Sequence, residues 1–406
     1  MISATMVPVR ALLLESLHPK AGEILADGGI KVSSRSGALD EDELIKALKG
    51  VELLGVRSKT ALTPKVFDAC PSLVAVGAFS VGTNQIDLAT AVRKGVAVFN
   101  APFSNTRSVV ELAVGEIIGL TRRLPEHNRL LQEGQWSKSA EGAHEVRGRT
   151  VGIVGYGNIG SQLSVVCEAL GLKVVFFDIA EKLSLGNATR VRSLDELLEV
   201  SDIVSLHVDG RPGNAGFFGK REFDRMKKGS IFLNLSRGFV VDIDALRVAL
   251  DSGHIAGAAV DVFPVEPKRK GDSFSTPLQG QGNVFLTPHV AGSTEEAQRD
   301  IGIFVATRLR DYIEHGSTSL SVNLPNLSLE QSNGSHRLAH LHENVPGVLA
   351  AVNQVFASHQ VNIEGQMLAT RGELGYVVTD VASGITDNVI KELATMPATV
   401  RLRVLS

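Results

Sequence analysis

The sequence predicts an α/β protein: two doubly wound parallel-sheet domains followed by a small ferredoxin-like βαββαβ domain. Three observations predict it. Through the first hundred residues short runs rich in Val, Leu and Ile alternate with amphipathic stretches, the pattern of parallel strands covered on both faces by helices. The same alternation restarts at Thr150 around a glycine-rich turn. After Val322 the texture changes to a stretch rich in Pro, Asn, Ser and Gly, and the last segment runs β-α-β-β-α-β. A length of 406 residues is consistent with several domains.

In chain order, VRALLLE, IKVSS, VELLGV, LVAVGAF and VAVFN read as strands, with EDELIKALKG and TPKVFDAC as amphipathic helices between them. A long helix opens at Ser108, with Glu111 at the capping-box spacing. A second opens near Ser293, with Glu296 in the same relation, and keeps Ala297, Ile301, Phe304, Val305, Leu309 and Tyr312 apolar. Two long helices bracketing one α/β unit suit either a hinge between domains or two ordinary core helices, and periodicity alone does not decide between them. The boundaries expected are 1–104 with 293–326 for one domain, 105–292 for the second, a linker over 327–335 and the tail domain over 336–406. The tail reads as strand HRLAHLHE, a helix from Pro346 to His359, strands VNIEGQMLATR and LGYVVTDVA, a helix from Asp387 to Thr395 and strand TVRLRVL.

Composition narrows the function. A net charge of −3 lacks the basic excess that nucleic acid or an anionic membrane surface would favour, so neither is expected as a partner. The run Lys268-Arg269-Lys270 reads as a solvated loop. Two cysteines, Cys70 and Cys167, form no metal or redox pair, so no metal is expected and a reducing compartment is. The apolar stretch near the N-terminus is too short for a signal peptide, and no run reaches membrane-spanning length; a cytoplasmic protein is expected.

The first chemical signal is Gly155-Tyr156-Gly157-Asn158-Ile159-Gly160, between an apolar strand and a helix with Ile159, Leu163, Val166 and Leu170 on one face. Gly155 permits the tight turn, Gly157 the approach of a pyrophosphate, and Gly160 close packing of helix on strand; the helix start offers its N–H groups to phosphate. Asp178 ends the next strand, where a carboxylate accepts from ribose hydroxyls and repels a 2′-phosphate. NAD is therefore expected rather than NADP. Three more polar residues stand at the carboxyl ends of strands in the same domain, where open sheets bind ligands: Arg237 after SIFLNL, Glu266 after AAVDVF and His289 after NVFLTP. Hydride transfer to or from a 2-hydroxy acid needs a planar cation for the carboxylate, a group titrating near neutrality for the hydroxyl proton, and an acid to orient it. Taken singly each residue has a bland reading as surface arginine, capping acid or core histidine; together they favour catalysis.

Residues 150–160, Asp178, Ser236-Arg237-Gly238, Asp261 through Pro267 and Pro288-His289 together resemble the D-2-hydroxyacid dehydrogenase family, over residues 1 to about 325. The resemblance implies a substrate domain and a Rossmann domain for NAD. It makes Arg237 the substrate-binding arginine, His289 the general acid–base and Glu266 its partner. It adds Asn158, Ile159, His207 and Ser236 to the cofactor residues, and Asp261 as a contact to the nicotinamide amide. The phrases Gly55–Thr60, Gly82–Asp87 and Asn100–Ser108 are similar to those of the branch that oxidises 3-phosphoglycerate as the first step of L-serine synthesis. That likeness implies a phosphorylated 2-hydroxy acid held by Arg57, Ser58, Asn105 and Gln298, and by Lys138 from a neighbouring subunit. Where that branch carries lysine before Gly37, this chain has Ser36, preceded by Arg35.

The tail resembles an ACT domain, which implies an amino acid bound between two subunits, a homo-oligomer (dimer or tetramer), and L-serine as effector held by His342, Asn344 and Asn362. Two alternatives stay open: another dehydrogenase of the family acting on glyoxylate, hydroxypyruvate, lactate or another phosphorylated hydroxy acid, and an NAD-sensing binding protein on the same scaffold.

Overall fold

A computed structural model describes residues 8–267, 271–330, 336–382 and 385–405. The expected solvated run at 268–270 lies outside the described residues. Two compact units emerge: the chain up to Pro102 together with everything from Gln298 onward, and Phe103–Ala297.

In the first unit β1 (Arg10–Leu13), α1 (Pro19–Asp27), β2 (Lys31–Ser34), α2 (Glu41–Ala47), β3 (Leu53–Val56), α3 (Pro64–Ala69), β4 (Ala75–Ala78), α4 (Leu88–Arg93) and β5 (Ala97–Phe99) build a parallel sheet in the order β2-β1-β3-β4-β5. Strands β1, β3, β4 and β5 bury both faces, whereas β2, an edge strand, stays largely exposed. Ala11, Leu13, Leu53, Ala75 and Phe99 enter one core; Leu12, Leu54, Val76 and Val98 enter the other. That two-sided burial is why the strands read as continuous apolar runs rather than alternating ones.

The second unit begins with α5 (Thr106–Thr121) and α6 (Leu124–Gln132). It continues through β6 (Thr150–Val154), α7 (Asn158–Ala169), β7 (Lys173–Phe177), β8 (Thr189–Arg190), α8 (Leu194–Val200), β9 (Ile203–Leu206), α9 (Lys220–Arg225), β10 (Ser230–Asn234), α10 (Ile243–Asp251), β11 (Ile255–Val260) and β12 (Val284–Leu286). Its seven parallel strands run β12-β11-β10-β9-β6-β7-β8, with the order reversing beside β6. One face is covered by α5 and α7 through Ala113, Ile117, Leu163 and Cys167, the other by α8, α9 and α10 through Leu198, Phe223 and Leu246. Both capping boxes on the long helices need correction. The first helix starts at Thr106 after Asn105; Ser108 lies inside it, bonded to Thr294 Oγ1 at 2.8 Å, while Glu111 pairs with Arg107 at 2.6 Å. The second, α11 (Glu295–His315), is capped one residue later than expected, Thr294 Oγ1 accepting from Ala297 N at 3.2 Å.

The tail comprises β13 (His336–Glu343), α12 (Val348–Ser358), β14 (Ile363–Arg371), β15 (Leu374–Val381), α13 (Asp387–Thr395) and β16 (Thr399–Leu405), an antiparallel sheet in the order β14-β15-β13-β16. Its two helices cover one face through Val352, Phe356, Val389 and Leu393. The opposite face shares a core with α11: Ala339, Leu341, Tyr376, Val378 and Leu405 meet Leu309 and Tyr312. Polar contacts reinforce it. Arg337, fully buried, donates to both oxygens of Asp380 at 2.6 Å and to the carbonyls of His315 and Leu329; Arg403 donates to the carbonyls of Tyr312 and Ile313. Of these, the carbonyls of Ile313 and His315 belong to the last turn of α11, where helical partners run out, while that of Tyr312 also accepts from Gly316 N at 3.1 Å. Of the stretch 327–335, Leu327 is buried in that core and Leu329 packs against it; residues 331–335 lie outside the described residues.

Candidate active site

The turn after β6 is shaped by its glycines. Gly155 has φ +92°, and a Cβ there would lie 2.7 Å from the carbonyl oxygen of His207. A Cβ on Gly160 would lie 2.3 Å from the carbonyl oxygen of Gly155, whereas one on Gly157 would meet nothing within 4 Å. The backbone at Gly157 is thus open to a ligand while its neighbours are packed shut. The N-cap of α7 is Gly157, which has no side chain to cap the first turn, and that turn, Asn158 through Gly160, begins at the opening. Asp178 stands beside it, accepting from Tyr156 N and Ala180 N, both at 2.8 Å. His207 bonds Ser205 through Nε2 at 2.8 Å; burial pulls its imidazole down to about 4, so it is neutral, and its buried Nδ1 lacks a partner among the described residues. An open turn, an adjacent carboxylate and a neutral imidazole whose Nδ1 lacks a partner among the described residues fit a dinucleotide.

Three strand ends carry the candidate reactive groups. After β10, Asn234 is fully buried and its Oδ1 accepts from Ser236 N and Oγ, at 3.1 and 2.8 Å, while its Nδ2 donates to the carbonyl of Arg237. A Cβ on Gly238 would overlap the backbone of Phe263, so glycine lets this loop lie against the loop after β11. Glu266, on that second loop, accepts from Phe263 N through Oε1 at 3.1 Å and meets His289 Nδ1 through Oε2 at 2.9 Å. His289 has φ +56°, rare for a residue with a Cβ. Asp261 holds it there: Oδ1 accepts from Thr287 Oγ1 at 2.6 Å and Val290 N at 2.8 Å, Oδ2 from Ala291 N at 2.9 Å, and its carbonyl from His289 N at 2.8 Å. The observed side-chain bonds of Asp261 therefore go to the histidine loop, while its N–H donates to the carbonyl of Asn234 at 3.1 Å.

The electrostatics follow from that geometry. The hydrogen bond from Glu266 raises the pKa of His289 above its ordinary value; partial burial opposes it, and the charges of Glu266 and Asp261 add to it. Burial pushes Glu266 up, but the bonds from His289 and Phe263 N–H and the charges of His289 and Arg237 hold its carboxyl below the usual range. Arg237 is lowered by burial, with Glu266 and Asp209 opposing, and stays cationic. The half-exposed imidazole (51% of its side chain) sits within the fields of a carboxylate and a guanidinium. Such a group can bind an anion and move one proton.

The other expected residues are placed as follows. Arg57 and Ser58 follow β3, and Gln298 lies in the first turns of α11. Asn105 precedes α5 with a buried Oδ1 that lacks a partner among the described residues. Lys138 is exposed, two residues after Trp136, itself 84% exposed. In the tail, His342 packs its ring on Gly375, and its buried Nε2 lacks a partner among the described residues; Asn344 donates to the carbonyl of Gly372 at 3.1 Å. Asn362 is not brought to them. His342 pairs with Gly375 at one end of the sheet and Ile363 with Val381 at the other, about 20 Å away along β15. Sequence reasoning missed Asn234, although an amide side chain ending a fully buried strand was a visible signal.

Residues 114–291 match the D-isomer specific 2-hydroxyacid dehydrogenase NAD binding domain, and residues 338–401 the AHAS small subunit-like ACT domain. The chain is 48% identical to D-3-phosphoglycerate dehydrogenase of Escherichia coli K12, covering 98% of this chain and 97% of that one. It is also 48% identical to the enzyme of that name from Haemophilus influenzae, covering 100% and 99%. Among solved structures, D-lactate dehydrogenase from Aquifex aeolicus complexed with NAD and lactic acid is similar, with a TM-score of 0.66, 27% identity, and 75% and 95% of the two chains covered.

Proposed function

The chain belongs to the D-isomer specific 2-hydroxyacid dehydrogenase family, and from that premise we propose that it oxidises 3-phospho-D-glycerate to 3-phosphohydroxypyruvate, the first step of L-serine synthesis. The observation that carries the chemistry is the 2.9 Å bond between His289 Nδ1 and Glu266, with Arg237 on the adjoining strand end. NAD, when bound, supplies the hydride acceptor. The amides of Gly157 through Gly160 hold its pyrophosphate, Asp178 its ribose hydroxyls, and Ser236, His207 and Asp261 complete the set. Arg237 grips the substrate carboxylate in two parallel bonds. Glu266 fixes the proton on Nδ1, leaving Nε2 to take the C2 hydroxyl proton during oxidation and to return it during reduction. Glu266 also stabilises the imidazolium that results. Arg57, Ser58, Asn105, Lys138 and Gln298 receive the remaining polar groups, the phosphate above all.

The tail is a regulatory domain with L-serine as its effector. His342 and Asn344 from one copy and Asn362 from a second would complete the site, a reading supported by their separation within one chain. The same reading calls for a homo-oligomer. The edge strand β14, with Met367 and Leu368 about 40% exposed, offers a surface for a second copy; so does α6, which buries none of its residues, with Leu131 and Trp136 exposed. No helix among the described residues is long and apolar enough to cross a membrane; we place the protein in the cytoplasm. The test is NADH consumption with phosphohydroxypyruvate, glyoxylate and pyruvate, each with and without L-serine. Preference for glyoxylate or pyruvate would overturn the substrate, and serine-insensitive turnover would overturn the effector.

A further inference from the structure

In the first unit's sheet the strand order reverses between β1 and β3, so the carboxyl ends of these two neighbours meet at the switch point where open parallel sheets receive ligands. The chain leaves β1 in an unusual way. Glu15 and Ser16 are both left-handed, at φ +64° and +52°, a conformation that residues with a Cβ keep only where their surroundings enforce it.

The Glu15 side chain shows what enforces it. Its carboxylate is buried, 8% exposed. Oε2 accepts from Ser58 N and Lys59 N, each at 3.0 Å, and Oε1 accepts from Thr60 N at 2.8 Å. Three successive amides converge on one carboxylate, as in the backbone nests that hold anions. The same loop is held from its other side, where the carbonyl of Arg57 accepts from Gln85 Nε2 at 2.5 Å and from Ser80 Oγ at 3.3 Å. A loop that served only to connect β3 to α3 could leave these groups to water. Here an internal carboxylate, strained at its own backbone, fixes the loop immediately beside Arg57 and Ser58.

We propose that Glu15 is a positioning residue for substrate recognition: its carboxylate locks the Arg57–Thr60 backbone so that Arg57 and Ser58 stand preset to receive the substrate's anionic groups. The inference rests on the proposed function, in which Arg57 and Ser58 contact substrate. It also accounts for Gln85, part of the Gly82–Asp87 phrase that the catalytic reading leaves without a role.

The test is steady-state kinetics on the full-length protein with 3-phosphoglycerate and NAD, for wild type, Glu15→Gln, Arg57→Ala and the double variant. In Glu15→Gln an NH2 group replaces one acceptor oxygen and faces backbone N–H. KM for 3-phosphoglycerate should rise about tenfold, kcat should change by less than about threefold, and NADH affinity by fluorescence should be unchanged. The double variant should be scarcely worse in KM than Arg57→Ala alone, because Glu15 acts through that loop. A merely structural role would give additive losses and a lowered melting temperature, and would overturn the proposal, as would an unchanged KM in folded Glu15→Gln while Arg57→Ala raises it. An unchanged KM in Arg57→Ala would instead overturn the assignment of Arg57 as a substrate contact.

Discussion

Replacing Glu116 by leucine should stabilise the second unit, and should do so far more at pH 8 than at pH 5. Glu116 points inward from α5, 4% exposed, and neither carboxyl oxygen has a hydrogen-bond partner among the described residues. Burial, and secondarily the charge of Asp261, push its pKa up to about 8 from an ordinary 4.5. The folded state therefore keeps a proton that the unfolded chain has released between these two values. Stability from this group is intact below the unfolded pKa and declines as pH rises toward the folded one. With those two pKa values the decline is about 1 kcal/mol by pH 5 and about 4 kcal/mol by pH 8, a difference of roughly 3 kcal/mol. Leucine neither titrates nor leaves a polar atom unpaired, so the variant escapes that loss. For a domain of this size roughly 3 kcal/mol corresponds to about 6–12 °C in melting temperature. Thermal melts of wild type and Glu116→Leu at pH 5, 6, 7 and 8 should diverge steadily with pH. Parallel curves would refute the reasoning, and a variant less stable at every pH would show that the carboxyl has a partner.

Three further outcomes are expected. Asp178→Ala should weaken NAD binding and shift preference toward NADP, since the carboxylate that repels a 2′-phosphate is gone; an unchanged ratio of the two affinities would remove Asp178 from the ribose. Because Glu266 raises the pKa of His289 and oxidation requires the neutral imidazole, Glu266→Gln should move the acid limb of the oxidation profile to lower pH. A profile that does not move would leave Glu266 a purely structural acceptor for Phe263 N–H. Asn344→Ala or Asn362→Ala should weaken inhibition in a serine titration of initial rates while sparing uninhibited turnover, and unaltered inhibition in both would place the effector elsewhere. Point variants serve here better than truncation, because deleting residues 330–406 would strip Leu309 and Tyr312 of the tail face that covers them.

What was legible in the sequence was whatever depends on near neighbours along the chain. Strands buried on both faces announce themselves as unbroken Val/Leu runs, and Gly155 and Gly160 each carry a steric demand that their spacing encodes. Arg237, Glu266 and His289 were found because strand ends in one domain converge by topology. What was illegible depends on partners far away in sequence. Ser108 looked like a cap because its true partner, Thr294, is 186 residues distant. The stretch 327–335 reads as a tether because Ser, Asn and Gly outnumber the two leucines, yet Leu327 and Leu329 pack into or against the core, and Arg337 reaches the carbonyl of Leu329. The same limit separates the two kinds of functional residue. Side chains that would touch cofactor or substrate were readable as chemistry, since their types are dictated by the reaction. Asp261 and Glu15 hold loops 26 to 45 residues away in the chain, and only geometry reveals that role. A left-handed histidine fixed by Asp261 and a left-handed glutamate fixing the loop after β3 are two instances of one device: a buried carboxylate that takes several backbone amides and thereby fixes where a reactive or binding side chain must stand.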